Sequence, residues 1–144
     1  MFQTILVPTD GSPLSDKAID AAIEFAKTIG GKIIGLSVAE PYPFPLLVAG
    51  PVIDPAVFEE NMRELARQHV QKIADAANNA DVRCETLITQ SFSPYEEIIN
   101  TAKKFGCDII FMASHGRKGL NNLFVGSETQ KVLAHSTIPV LVFR

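Results

Sequence analysis

Cysteine is scarce. Cys84 and Cys107 are the two in 144 residues, and they form no C-x-x-C pair. A chain built around disulfides would carry more, so both read as buried thiols in a reducing compartment. Runs of Lys or Arg are missing as well, and the formal net charge is -3. That excludes a nucleic-acid partner held through phosphate contacts. No apolar stretch has the length needed to span a bilayer, which excludes a membrane partner. The opening MFQTILVPTDG has no basic leader region, and its apolar run is too short for a secretory signal. A cytoplasmic protein is expected. The three histidines, His69, His115 and His135, lack metal-ligand spacing. His69 lies within a helical apolar pattern and His135 near a helix end, where core or capping roles suit them.

What is present is an ordinary globular balance, 47% hydrophobic and 20% charged. A single domain over residues 1–144 fits that length. Short apolar runs alternate with helical periodicity along the whole chain. Thr4 to Val7, ended by Pro8, predicts a buried strand. Ala18, Ala22, Phe25, Ala26 and Ile29 predict a helix from Pro13 to Ile29, stopped by Gly30-Gly31. Lys32 to Ala39 predicts a second strand. Phe58, Met62, Leu65, Ala66, Ile73 and Ala77 mark a long amphipathic helix from about Pro55 to Asn78. Val82 to Thr89 predicts a third strand. Ser93-Pro94 predicts an N-cap and first turn, with Glu96 and Glu97 suited to that end of the dipole. Gly106 stops this third helix. Asp108 to Ala113 predicts a fourth strand, Ser127 to His135 a fourth helix, and Ile138 to Phe143 a fifth strand.

Strands alternating with helices imply a doubly wound parallel sheet with helices on both faces. Ligands of such sheets bind beyond the carboxyl ends of the strands, where strand order reverses. Two loops at that end carry special residues: PTDGS after the first strand and ASHGRKG after the fourth. If those strands are neighbours, both loops border one crevice. The segment Pro41 to Pro55 holds five prolines and many apolar residues. It reads equally as a packed surface loop at the sheet's edge or as a lid or partner surface.

The second of those loops runs on to Gly126-Ser127 at the start of the fourth helix. Neither G-x-x-x-x-G-K-[ST] nor a G-x-G-x-x-G after the first strand is present. The physics still suits phosphate. The first N–H groups of a helix lack intrahelical partners, and the helix dipole favours an anion there. A glycine lets the backbone approach closely. The alternative is that Gly116 and Gly119 make turns and Ser127 caps the helix.

The pattern resembles the universal stress proteins, in which Gly-x-x-Gly is followed by nine residues and then Gly-Ser or Gly-Thr. Here Gly116 is the second glycine, Arg117 to Val125 are the nine, and Gly126-Ser127 follows. Ala113 replaces the first glycine. Pro8-Thr9-Asp10 and the ending IPVLVFR are similar to that family too, and the likeness covers the whole chain. It implies a five-stranded sheet of order 3-2-1-4-5 and the ATP-binding subclass; in the slow-ATPase alternative, Asp10 would help to hold Mg²⁺. ATP or another adenine nucleotide would be the ligand. Pro8, Thr9, Asp10 and Val38 would lie on the adenosine side, Asp10 and Val38 in contact with it. Amides around Gly116, Gly126 and Ser127 would hold phosphates, with Met112, Ala113, Ser114, His115, Arg117, Glu128 and Thr129 completing the site. Ala113 retains its backbone amide, so its methyl group matters only if the position needs a positive φ or a very close ligand.

Asp10, His115 and Ser127 are the residue types of a hydrolytic triad, but Ser127 does not sit on a G-x-S-x-G elbow. The expectation is a nucleotide-binding stress regulator whose output is a change of conformation or partner. A slow ATPase and a nucleotide-free dimeric module are the alternatives. The strand order implied by the resemblance also puts Ile138 to Phe143 at an edge. That strand is apolar on both faces and protected only by Arg144, so a homodimer through it is expected. The same order puts two strands between Cys84 and Cys107, beyond the reach of a disulfide.

Overall fold

The computed structural model describes residues 1–43, 53–116 and 125–144. Nine elements follow one another: β1 (Thr4–Pro8), α1 (Pro13–Ile29), β2 (Lys32–Ala39), α2 (Pro55–Asn79), β3 (Arg83–Gln90), α3 (Pro94–Lys104), β4 (Ile109–Ala113), α4 (Ser127–His135) and β5 (Val140–Phe143). The five strands form one parallel sheet of order β3-β2-β1-β4-β5.

Side chains of a strand alternate between faces, and here both faces are apolar. Ile5, Val7, Ile33, Ile109 and Phe111 pack with Ile19, Ala22, Ala26 and Ile73 of α1 and α2. Leu6, Ile34, Leu36, Ile110 and Met112 pack with Ile98, Ala102 and Val132 of α3 and α4. Ile5, Leu6, Ile33, Ile34 and Ile110 are completely buried, and each contributes roughly 1.5–3 kcal/mol by leaving water. These two cores explain why the central strands read as unbroken apolar runs.

Element boundaries shift slightly from the sequence expectation. β4 begins at Ile109 because the Asp108 carboxylate instead accepts from the Gln3 amide at 2.9 Å and the Thr4 amide at 3.3 Å. β5 is assigned from Val140, although the Pro139 carbonyl already accepts from Ile110 at 2.9 Å. Ser93 stands at the N-cap of α3 but makes no side-chain capping bond. The Glu128 carboxylate of α4 accepts from the Tyr95 amide at 2.9 Å instead. The Pro-rich stretch lies largely outside the described residues. Its described start packs on α2, with Tyr42 edge-on to Phe58 at 5.5 Å. Cys84 and Cys107 are both free thiols.

The candidate functional site

β1 and β4 are adjacent, so the sheet's order reverses between them and the loops after these strands meet. The loop after β1 is tightly tied. The Thr9 amide donates to the Leu36 carbonyl at 2.8 Å. Thr9 Oγ1 lies 3.0 Å from Ser15 Oγ and accepts from the Gly11 amide at 3.1 Å. Asp10 Oδ1 accepts from the Ser12 amide at 3.0 Å, and Ser12 Oγ caps α1 by accepting from the Ser15 amide at 3.2 Å. Ser37 donates its hydroxyl to the Thr9 carbonyl at 2.9 Å and sits 3.5 Å from His69 Nδ1. Gly11 has φ +79°, and a Cβ there would collide with the His69 ring. His69 therefore buttresses the loop from α2, a core role that fits its place in the helical pattern.

The Asp10 carboxylate points across the crevice. A Cβ on Gly116 would run into its Oδ2. The two loops singled out in the sequence thus face each other at the switch point. Ala113 and Met112 end β4 almost wholly buried, and Val38 lies near the end of β2, packed against the α3/α4 core. Pro8 ends β1.

Beyond β4, Ser114 is completely buried. Its amide donates to the Phe143 carbonyl at 2.7 Å. Its carbonyl accepts from the Gly126 amide, also at 2.7 Å. Gly126 is the N-cap of α4 with φ -60° and ψ 154°. A Cβ there would sit 3.0 Å from the Ser114 oxygen. A side chain at 126 would thus press on the Ser114 carbonyl, and the Gly126 N–H is engaged by that same carbonyl. Among the described residues no side chain caps α4, and the amides of its first turn, those of Ser127 and Glu128, have no intrahelical partner. Thr129 is buried and donates to the Ala113 carbonyl at 2.9 Å, pinning α4 to β4. The Glu128 side chain turns away toward Tyr95 and Lys131. Arg117 lies outside the described residues.

His115 Nδ1 lies 2.7 Å from Ser114 Oγ. The nitrogen that a hydrolytic triad would aim at a carboxylate is therefore engaged by a neighbouring hydroxyl. Its buried Nε2 has no hydrogen-bond partner among the described residues. An open cavity of about 460 Å³ borders Ser114 and His115, with Pro13, Leu14 and Arg144 on its other sides.

The family model described as the universal stress protein family matches residues 1–144. This chain belongs to that family. The universal stress protein YxiE of Bacillus subtilis is 34% identical over 149 residues, covering all of both chains. The solved structure of MJ0577, a universal stress protein of Methanocaldococcus jannaschii, superposes with a TM-score of 0.83 at 26% identity, covering 99% of this chain and 96% of that one. A universal stress protein solved in complex with cAMP superposes with a TM-score of 0.71 at 22% identity, over 99% and 97% of the two chains.

Sequence reasoning missed Ser12, Ser15 and Ser37, and gave His69 a core or capping role without placing it beneath this loop. Ser12 before Pro13 is a capping signal that was available. Ser37 and His69 carry no local signal, because only the fold brings β2 and α2 beneath the loop.

Proposed function

We propose that the chain binds an adenine nucleotide, ATP above all, across the carboxyl ends of β2, β1 and β4, and acts as a nucleotide-dependent regulator of the stress response in the cytoplasm. The observation that carries this is the meeting of the Asp10 carboxylate and the Cβ-free Gly116 beside the start of α4, which no described side chain caps. A carboxylate suits the hydroxyls of a ribose, and open helix-start amides suit phosphate oxygens. Asp10 and Val38 would hold the nucleoside, while Gly116, Ser127 and the Glu128 amide would hold phosphates. Mg²⁺ would accompany the triphosphate and neutralise part of its charge. The complex of a relative with cAMP supports the same ligand class. Equilibrium dialysis with labelled ATP, followed by product analysis, tests the reading. Retained, intact ATP supports a regulator, released ADP an ATPase, and no binding a nucleotide-free module. Asp10→Ala should weaken ATP and adenosine alike.

The output is proposed to pass through a homodimer. β5 is an edge strand, and its Leu141 side chain is 44% exposed. Two-fold pairing of this edge would satisfy its outward backbone groups and cover that side chain. Sedimentation at micromolar concentration should give a dimer, and deletion after Thr137 a monomer or aggregate.

A further inference from the structure

Ser37 is out of place on its strand. β2 reads KIIGLSVA, a largely buried run, and Ser37 is 2% exposed within it. A buried hydroxyl needs hydrogen-bond partners, whereas an apolar residue there would need none. Counting protons shows what Ser37 serves. A hydroxyl carries one proton. That of Ser37 goes to the Thr9 carbonyl at 2.9 Å, so its Oγ can meet His69 Nδ1, at a long 3.5 Å, only as an acceptor. His69 therefore carries a proton on Nδ1; otherwise two lone pairs would face each other. A second chain beside it is ordered in the same way. Ser15 gives its proton to the Ser12 carbonyl at 2.8 Å. Thr9 Oγ1 therefore donates to Ser15 Oγ while accepting from the Gly11 amide.

The two chains close on Asp10 from both sides. The Thr9 carbonyl belongs to the peptide unit before Asp10, and the Gly11 amide to the unit after it. Ser37 and His69 hold the first, and Thr9 with Ser15 holds the second. Peptide units are rigid planes, so anchoring both limits the directions open to the side chain between them. We infer that His69 and Ser37 are positioning residues for ligand binding. Acting through the Thr9 carbonyl, they set the Asp10 carboxylate toward the crevice, so that a ligand need not order it on arrival. The inference rests on the nucleotide reading above, and it gives α2 and β2 a part in affinity as well as in the brace.

The test compares wild type, Ser37→Ala, His69→Leu and His69→Asn by calorimetric titration with ATP, adenosine and inorganic tripolyphosphate, alongside thermal unfolding. Nitrogen-15 NMR of the His69 ring reads its tautomer, and the neutral ring should be protonated at Nδ1. Ser37→Ala and His69→Leu should weaken ATP and adenosine alike, roughly three- to tenfold, the loss of one neutral hydrogen bond. Tripolyphosphate, which has no nucleoside for Asp10 to hold, should bind both variants as it binds wild type. His69→Asn offers an N–H near the place of Nδ1 and should recover most of what His69→Leu loses. A role in folding alone would lower the melting temperature and leave these affinities in place. The positioning role is overturned if ATP and adenosine bind both variants as they bind wild type, if tripolyphosphate weakens as much as ATP, or if the neutral ring is protonated at Nε2. If wild type itself binds neither ATP nor adenosine, the nucleotide reading falls and this role with it.

Discussion

Two helices start at the ligand end of the sheet beside the crevice, and they start differently. α1 follows β1 through a loop tied by several hydrogen bonds within the protein, and Ser12 caps its first turn. α4 follows β4, and its N-cap is Gly126, with no side-chain cap among the described residues. The first junction is a finished structure, held from beneath by Ser37 and braced by His69. The second is anchored through the Gly126 amide and the Thr129 hydroxyl, which bond the backbone just beyond and at the end of β4. The contrast teaches where rigidity and binding are divided. The β1 side holds Asp10 through the Ser12 amide, and the β4 side is where the proposed phosphate contacts would form.

The largest effect should come from breaking the finished junction. Gly11→Ala combines a left-handed backbone with a collision on His69. It should cost roughly 2–4 kcal/mol of stability, from the conformational and overpacking penalties together. Urea unfolding measures this, and Gly11→Ala with His69→Ala should recover the collision part alone. No loss in the single variant would mean that the loop is not braced as described.

Next comes the open junction. Ser127→Ala should leave stability nearly unchanged and weaken ATP by one to two decades, the worth of a bond to a charged group, about 1.5–3 kcal/mol. Dialysis at fixed salt reads this directly. Gly126→Val is a poorer probe, because its side chain would press on the Ser114 carbonyl and disturb the fold along with the ligand.

A smaller effect separates the two uses of α4. The Glu128 carboxylate serves the start of α3, through Tyr95. Glu128→Ala should therefore cost about 1 kcal/mol of stability, as loss of a helix cap does, with ATP affinity within twofold of wild type. A large drop in affinity would return the Glu128 side chain to the ligand site.

The smallest effect is expected at the opposite, amino end of the strands, where Cys84 and Cys107 lie. Burial pushes both thiols up to about 11 from an ordinary value of 9.0, with Glu85 and Asp108 adding to it. The folded chain holds these protons to higher pH than the unfolded one. Their contribution is therefore complete below about 9 and lost as pH rises toward about 11. Unfolding midpoints at rising pH should fall less steeply in Cys84→Ala. Native thiols should also alkylate slowly at neutral pH, and unfolding without reductant should give two alkylations.

Most of the fold was legible because its periodicities are strong. α1 and α4 have the bounds that their apolar spacing predicts, and the other elements differ by a few residues at most. The exceptions share a cause. Asp108 leaves the strand to cap β1, and Glu128 replaces Ser93 as the cap of α3; both act across long sequence distances. The candidate site was legible as two loops, since glycine, proline and aspartate mark loops locally. The direction in which the Gly126 amide points was not, because it depends on where the Ser114 carbonyl comes to rest. Nor was the brace from His69, whose helical spacing says only that it faces inward.

The pairing of β1 with β4 bears on how the molecule assembles. Asp108 reaches the Gln3 amide across 105 residues of chain. Contacts that close so long a loop form late, because their entropic cost precedes their reward. β1, α1 and β2 are local and can gather first. The crevice exists only once β4 has docked beside β1. A chain emerging from synthesis would therefore acquire its ligand site among its last folding events, and a nucleotide held there would bind the completed sheet and not its precursors. Ligand at a hundred times its dissociation constant would add about 2.7 kcal/mol to the finished state. On the proposed nucleotide reading, the level of that ligand would also set how long the folded protein persists.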